Sequence, residues 1–433
     1  NLKCTKKIKR MVSIMLKPIN PINFDLSEYI HGKDRITWGQ GSAEPLKLIG
    51  MLLEQRAIIG RIEVFIGISF VERFLSEHFD FIHLMSYGAL GTNAKFAVSG
   101  EMELLSCNYS AIPNLIASGR FPIDVVFVQI SPPGPDGTHS FGFCNDYLPA
   151  AMAAARVVIA EINHNVPWVY QDVPFDESKV TLAIETDCPI APYKPSEPSP
   201  LELKIANHIA NQVEDGATLQ YGIGGIPTAF LKALTGHREL GLHSGLVSDE
   251  AVDLLEAGVI TNARKPLHTG KSVGAVAFGG LKFKQFVHAN ACFEMHQSTS
   301  THGTASLSRI DNLVSVNSAL EVDLYGQVNA EQIGDRYLGA IGGQVDFMHA
   351  ASAHMRGLSI IAMPAGLGNS DRSRITDKLG GPLVTTTRSD VDLVVTEYGI
   401  ADLRGKSNDA RARALIKIAL PEHRDRLMAS WGG

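Results

Sequence analysis

Three glycine-rich stretches carry the residues best suited to act on a small molecule. In YGIGGIP, Gly222, Ile223, Gly224, Gly225 and Ile226 lie between the strand-like TLQY and the helical TAFLKAL. Glycines at a strand-to-helix turn let backbone N–H groups converge on an anion. That arrangement suits an oxyanion hole or a cradle for a thioester and its pantetheine arm; it also suits a plain tight turn. The spacing is not GxGxxG, because Pro227 takes the last place. No acidic ribose reader follows at the usual interval, so a nicotinamide site is disfavoured. A second stretch, GAIGGQVDF, joins Gly342 and Gly343 to the amide of Gln344. A third, GLGNSDRSRI, offers Arg372 and Arg374 to phosphate or carboxylate, or simply to solvent.

Two further segments sit at the carboxyl ends of strand-like runs. SPPGPDGTHSFG follows DVVFVQI, a place where open α/β sheets bind ligands, though its prolines and glycines are also turn formers. TEYGIADLRGKS gathers Glu397, Tyr398, Asp402, Arg404 and Lys406 as a cleft wall or as an internal Asp–Arg brace. GKSVG matches GxSxG, but a strand-like AVAF follows it where a nucleophile elbow needs a helix, which disfavours a serine esterase. HExxH and the Walker pattern are absent. The 15 histidines look dispersed, with no His/Cys cluster at ligand spacing, so no metal is expected.

The elements that must position these loops alternate strand with helix. Residues 61–69, 124–131, 157–162, 358–365 and 391–399 are apolar, β-branched runs of the kind buried on both faces. Separated by helical segments, they predict parallel α/β sheets. The proline-rich CPIAPYKPSEPSP marks a boundary, giving an N-terminal α/β domain over 11–195 and a C-terminal one over 196–433. The two domains could share a fold. Ser199-Pro200 then caps a helix whose Ile205, Ile209 and Val213 form one apolar face, ending at Gly216. Within 314–328, Leu320, Val322 and Leu324 alternate with Glu321, Asp323 and Tyr325, predicting a half-exposed strand after a turn at Asn317-Ser318.

Composition narrows the function classes. The 433 residues are 45% hydrophobic and 19% charged, ample for a buried core. A net charge of −6 argues against a nucleic-acid surface. The apolar stretch 150–160 is short and contains Arg156, so no membrane span is expected. Cys4, Cys107, Cys144, Cys188 and Cys292 form no CxxC pair; they read as small buried thiols in a reducing, cytoplasmic setting. Residues 1–10 are basic without a following apolar core and read as an appended or leader segment ahead of Met11 and Met15.

Taken together, SPPGPDGTHSFG, YGIGGIP, LGLHSGLVSDEAVDLLEAGVITN, VNSALEVDLYGQVNAEQIG, GAIGGQVDF and VVTEYGIADLRGKS resemble the acetyl-CoA hydrolase/transferase family, which includes 4-hydroxybutyrate and butyryl-type CoA-transferases. The resemblance implies two open α/β domains of the CoA-transferase type, a homo-oligomer, and coenzyme A as the carried group. It implies acyl-CoA and a small carboxylate as partners. It sets coenzyme A against Gly222, Ile223, Gly224, Gly225, Ile226, Leu320, Gly342, Gly343 and Gln344, and the carboxylate in a cleft near Gly41, Phe70, Val71, Glu397 and Tyr398. Members of the family use a glutamate that becomes a glutamyl-CoA thioester. Here HSG places Gly245 at that position, and glycine carries no nucleophile. Three readings remain: another carboxylate substitutes, with Glu72 preferred over Glu250 and Glu294; the chain hydrolyses acyl-CoA or transfers directly; or it binds CoA esters with weak catalysis.

Overall fold

The computed structural model describes residues 16–20, 24–191, 193, 197–368 and 372–432. The basic segment 1–10, and parts of the proline-rich stretch and of GLGNSDRSRI, lie outside them.

The apolar runs form two sheets. Val125–Ile130 and Val157–Asn163 are buried along their whole length and pair in parallel. Side chains apolar on both faces stabilise a strand only when helices cover both sides. In the first sheet the order is Pro18–Ile19, Leu182–Thr186, Val157–Asn163, Val125–Ile130, Arg35–Trp38, Ile62–Ile66, Ile82–Ser86 and Met102–Leu104. Every pairing there is parallel. The second sheet runs Gly399–Asp402, Leu393–Thr396, Leu358–Ala362, Leu313–Ser318, Thr218–Tyr221, Gly241–Ser248, Ser272–Phe278, Phe293–Met295 and Tyr170–Gln171. Only its Leu393–Thr396 pairing with Gly399–Asp402 is antiparallel. The expected parallel α/β architecture is therefore observed. Tyr170–Gln171 lies early in the chain yet joins the far edge of the second sheet.

Both sheets reverse their order at an interior strand. From Arg35–Trp38 the chain builds outward to Met102–Leu104 on one side, then returns to add Val125–Ile130 on the other. Thr218–Tyr221 plays the same part in the second sheet, flanked by Gly241–Ser248 and Leu313–Ser318. At such a switch point the two connections leave in opposite directions, so a crevice opens beyond the carboxyl end of the strand. Gly39-Gln40-Gly41 follows the first such strand and Gly222 the second.

The two sheets share one hydrophobic cluster that includes Phe65, Val126, Phe143, Val276 and Val316. SPPGPDGTHSFG folds as a turn, with Gly137 N–H donating to Gly134 O and Ser131 N–H to Ser140 O. Its continuation, Phe143 to Asn145, docks on the strand Ser272–Phe278: Ala277 N–H donates to Phe143 O at 2.7 Å and Asn145 N–H to Ala275 O at 3.0 Å. Asn145 Nδ2 donates to Met295 O and to Asp172 Oδ1, both at 3.0 Å.

Local details refine the sequence reading. The helix Pro200–Ala210 has a reciprocal capping box between Ser199 and Glu202, as its Ser-Pro start predicts. It stops at Ala210 rather than at Gly216, and Val213 still packs, from the following turn. Asn317-Ser318 is not a turn. It ends the buried strand Leu313–Ser318, because Asn317 pairs with Ile361 of its neighbour. The short strand Glu321–Asp323 follows, but Val322, Asp323 and Leu324 are all buried and only Tyr325 is exposed, because Asp323 turns inward to accept from the Tyr325 and Gln327 N–H groups, so the expected alternation is not kept. Leu393–Thr396 and Gly399–Asp402 form a hairpin end, and Arg404 braces Asp402 at 2.9 Å. The described cysteines are all free, but only Cys144 is buried, and Cys292 is exposed. Among the described residues no helix is long and apolar enough to cross a membrane.

Asn145 ties the first half of the chain to the second through two side-chain bonds, although Met295 O also accepts from Asp172 N–H and Asp172 Oδ1 from Val173 and Gln297 N–H. Asn145→Ala should destabilise the fold by about 1–3 kcal/mol, read as a lower urea midpoint.

Candidate functional site

The crevices beyond the two switch points meet in one cavity of about 190 Å³. From the first sheet come Gln40, Ile68, Tyr87, Leu90 and Tyr109. From the second come Gln220, Tyr221, Gly222, Ile223, Gly245, Leu246, Asn317 and His302, with Gly342, Gly343, Gln344 and Phe347 closing one side. Two helices begin beside it, Gly225–Ala233 after Gly224 and Gln344–Ser352 after Gly343. Neither start is capped by a side chain, so their first N–H groups stay available to an anionic or polar ligand. The loop before Gln344 is latched across the sheets: Tyr109 N–H donates to Gly342 O, and Ser110 Oγ donates to Asp346 Oδ1 at 2.8 Å. Burial pushes the Asp346 carboxyl up to about 6.

Polar side chains in the wall satisfy one another. Gln40 Oε1 accepts from Ile68 N at 3.0 Å and from Tyr87 OH at 2.8 Å. Its Nε2 donates to Asp146 Oδ2 at 2.7 Å, and Tyr109 OH donates to the same oxygen. Asp146 is fully buried behind this wall, and desolvation raises its carboxyl above the ordinary range. On the other side Gln220 Oε1 accepts from Ser315 Oγ at 2.5 Å and from Asn317 Nδ2 at 3.1 Å. No Asp, Glu, Lys, Arg, Cys, Ser or Thr lines the cavity among the described residues. It is a neutral, amide-rich and aromatic chamber.

His302 faces Gly245 across this chamber. A Cβ placed on Gly245 would lie 2.4 Å from His302 Nε2, and one on Gly343 would lie 2.4 Å from its Cδ2. The ring packs between Tyr109 and Phe347, with centroids at 4.9 and 4.8 Å. Nδ1 meets Thr301 Oγ1 at 2.7 Å, and Thr301 Oγ1 is aimed as a donor at Gln297 O, 3.4 Å away. Burial alone pushes the imidazole down to about 3, so it stays neutral.

Residues 23–191 match the acetyl-CoA hydrolase/transferase N-terminal domain and residues 279–431 its C-terminal domain. The chain is 37% identical to the 4-hydroxybutyrate coenzyme A transferase of Clostridium kluyveri, over 92% of this chain and 94% of that protein. The chain belongs to the acetyl-CoA hydrolase/transferase family. Its fold is similar to the crystal structure of 4-hydroxybutyrate CoA-transferase from Porphyromonas gingivalis, with a TM-score of 0.78 and 33% identity, over 94% of this chain and 95% of that one. It is also similar to RipA from Yersinia pestis, with a TM-score of 0.87 and 29% identity, again over 94% and 95%.

Of the residues that the family resemblance singles out, Gly222, Ile223, Gly245, Gly342, Gly343 and Gln344 line the cavity together. Gly224, at φ +117, opens the adjacent helix into free space. Gly225 packs on the Glu202 carboxylate, where a Cβ would meet Oε1 at 2.1 Å, and Ile226 is core. Gly41, at φ +56, lies against Phe278 of the cavity wall, and Phe70 stacks edge-on to Phe278 at 4.6 Å. Val71 O accepts from Ser69 and Thr92 behind that wall. The rest lie elsewhere. Leu320 N–H donates to Asn329 O, outside the cavity lining. Glu397 accepts from Ala365 N, and Tyr398 is exposed beneath Arg424.

The alternative carboxylates are likewise outside the cavity lining. Glu72 is exposed and paired with Lys95 at 3.2 Å. Glu250 is buried at the start of the helix Asp249–Glu256. Glu294 is held by Lys271 and by His296 at 2.9 Å, and these bonds lower its carboxyl to about 2. The fold also corrects the reading of dispersed histidines: His268, Glu294 and His296 present ligand atoms within 4.8 Å of one another. Glu294 and His296 are two residues apart at the end of the strand Phe293–Met295, and His268 reaches them from the loop that precedes the neighbouring strand Ser272–Phe278. Lys271 beside Glu294 already supplies positive charge there.

Sequence reasoning missed Gln40, Tyr109, Asn317 and His302. The glycine pair around Gln40 in RITWGQG repeats the strand-then-glycine pattern of TLQYGIGG and was a usable signal. STSTHGT carries no such signal, since His302 acquires its role only through the packing of the second sheet. Glu44 was also overlooked. It is buried just after Gly41, accepts from Ser69 Oγ at 3.0 Å, and is pushed by desolvation up to about 8.

Two outcomes follow from this geometry. Gly245→Ala should cost about 1–3 kcal/mol by overpacking, and adding His302→Ala should recover most of it in a urea double-mutant cycle. For Glu44, the folded chain holds the proton more tightly than the unfolded one. Its stabilising effect is complete below pH 4.5 and is lost as pH rises to about 8. Against Glu44→Gln, the wild-type chain should lose up to roughly 1.4 kcal/mol per pH unit across that window, measured by denaturant titration.

Proposed function

We propose that the chain is a CoA-transferase that moves CoA from an acyl-CoA donor to a short-chain carboxylate. The observation that carries this reading is the neutral cavity where both switch points meet, ringed by the glycine loops Gly222-Ile223 and Gly342-Gly343. The 4-hydroxybutyrate coenzyme A transferase that matches 92% of this chain supports it.

The chemistry fits what the cavity holds and what it lacks. A carboxylate oxygen attacks the thioester carbon, the C–S bond breaks, and its electron pair leaves on sulfur. The mixed anhydride is then attacked at the acceptor carbonyl by CoA thiolate, and the donor acid leaves as a carboxylate. No proton changes hands, so the route needs no acid or base. It needs N–H donors for each oxyanion, and we assign these to the backbone of the two loops and helix starts. Gly41 and Phe70, which pack on Phe278 of the cavity wall, are assigned to the support of the acyl end. Hydrolysis would instead need a base poised near neutrality to deprotonate water. Among the described residues lining the cavity, the histidine is the one side chain able to do so, and its basicity is far too low.

The size of the chamber suits acids such as acetate, butyrate, 4-hydroxybutyrate or itaconate. Free thiols at Cys107, Cys144, Cys188 and Cys292 accord with a cytoplasmic setting. We assign the active form to a homo-oligomer, in line with the family resemblance.

Purified protein given butyryl-CoA with and without acetate should form acetyl-CoA only with acceptor, while total thioester is conserved. Thioester loss at the same rate without any acceptor would overturn the reading.

A further inference from the structure

We infer that His268, Glu294 and His296 form a binding site for one divalent metal ion of the zinc type, which clips the loop 261–271 to the end of the strand Phe293–Met295. None of the three lines the cavity, so the site goes beyond the transferase reading and does not depend on it.

The donor set gives the first support. Each residue offers one ligand atom, two imidazole nitrogens and one carboxylate oxygen in all, and the three atoms lie within 4.8 Å of one another. Two histidines and a glutamate suit a borderline ion such as Zn²⁺, with water completing a tetrahedron. Glu294 Oε2 and His296 Nε2 are already 2.9 Å apart. Zinc ligands at about 2.0–2.1 Å from the ion stand about 3.4 Å from one another in a tetrahedron, so the widest pair has to close by roughly 1.4 Å. His268 is half-buried on a loop, and rotation of its side chain covers that distance.

Placement of the ligands gives the second. The backbone at His268 sits at φ +54, a left-handed conformation that a residue with a side chain adopts at a cost. The loop is pinned in this shape: Gly270 N–H donates to Asn262 O at 2.9 Å, Lys271 N–H to His268 O at 3.0 Å and Thr269 Oγ1 to Lys265 O at 2.8 Å. His296 is buried, and its backbone N–H is anchored on Gly274 O at 2.7 Å. Its Nδ1 faces the Asp172 carboxylate at 3.9 Å. An ion on Nε2 requires the ring hydrogen on Nδ1, the side on which carboxylates commonly steady metal-bound histidines.

Unpaired nitrogens give the third. The His268 ring has His296 at 4.7 Å and His243 at 6.4 Å between centroids, but it makes no hydrogen bond among the described residues. His243 is fully buried, with Nε2 at 3.0 Å from Thr301 O. That carbonyl can only accept, so Nε2 carries the hydrogen and Nδ1 the lone pair. The lone pair has no partner. A buried acceptor without a donor calls for a reason, and water bound to an ion beside His268 is a donor of the kind it lacks.

Lys271 is the competitor for this place. Its ammonium pairs with Glu294, yet the side chain is 44% exposed and can release into water. Exposed lysine pairs hold weakly. Lys265 is occupied elsewhere, donating to Leu242 O at 2.8 Å and to Lys271 O at 2.6 Å.

The test strips the untagged full chain with a chelator and titrates it with ZnCl₂ by calorimetry. The expected result is one equivalent bound in the micromolar range or tighter, with a higher urea midpoint when the ion is present. Co²⁺ in its place should give the strong visible absorption of a four-coordinate site with imidazole ligands. His268→Ala should weaken binding by at least about 100-fold, and Glu294→Gln likewise. Lys271→Ala should tighten it a few-fold, which a site elsewhere on the surface would not do. Binding only at millimolar Zn²⁺, His268→Ala that binds within a few-fold of wild type, or a six-coordinate cobalt spectrum would each overturn the inference. Should Glu294→Gln not fold, His268→Ala and the wild-type cobalt spectrum decide. Acceptor-dependent transfer would persist in each of these failures, so the transferase reading stands or falls separately.

Discussion

Direction of the chain at two interior strands is the constraint on which this structure depends. Parallel strands need crossover connections, and where successive crossovers leave in opposite senses nothing covers the strand's carboxyl end. Arg35–Trp38 and Thr218–Tyr221 both occupy that position. One such crevice would be a shallow opening. Two of them facing each other make a chamber with glycine backbone on one side and the Gln40 wall on the other. Docking of Phe143 to Asn145 on the strand Ser272–Phe278 keeps them opposed, as does the Ser110–Asp346 latch.

The interior polarity is handled by sharing rather than by charge. Asp146 lies fully behind the wall, and a lone buried carboxylate would be costly. Gln40, Tyr109 and the Tyr147 backbone N–H all donate to it. Gln40 in turn is fully used, both amide ends being bonded, which fixes its orientation and that of Tyr87. Gln220, Ser315 and Asn317 do the same on the second sheet. The outcome is a rigid chamber presenting dipoles but no ion, in which an acyl oxyanion or a thiolate would be the dominant charge.

Much of this was legible from residue types because local signals and global fold agree. Continuous β-branched runs such as VVFVQI belong in buried parallel strands, and Ser199-Pro200-x-Glu202 is a helix start. The glycine loops were visible for the same reason: few other residues reach those backbone shapes beside a ligand. What stayed hidden depends on pairing between distant segments. Asn317-Ser318 looks like a turn locally and is a strand end because Leu358–Ala362 lies beside it. Glu72 looks well placed after its strand, yet it points to Lys95. His302 has no signature of its own; its neighbours Gly245, Phe347 and Tyr109 come from three separate parts of the chain.

Gly245 and His302 are best understood as one feature. The strand Gly241–Ser248 brings position 245 so close to the imidazole that even a methyl group would collide with Nε2. The ring cannot simply swing away, since Tyr109 and Phe347 flank it, Thr301 holds Nδ1, and a Gly343 side chain would collide with its other edge. A carboxylate at 245 and this histidine are therefore mutually exclusive in this backbone. Gly245, where a side chain has been lost, and Gly343 of the glycine loop are the space the ring requires. A site that had merely lost its side chain at 245 would be expected to leave a void there, or to fill it with an apolar group. Instead the ring of His302 fills that space, and burial keeps its imidazole neutral. Position 245 is therefore repacked around an imidazole rather than simply emptied, because that ring sterically excludes any side chain there.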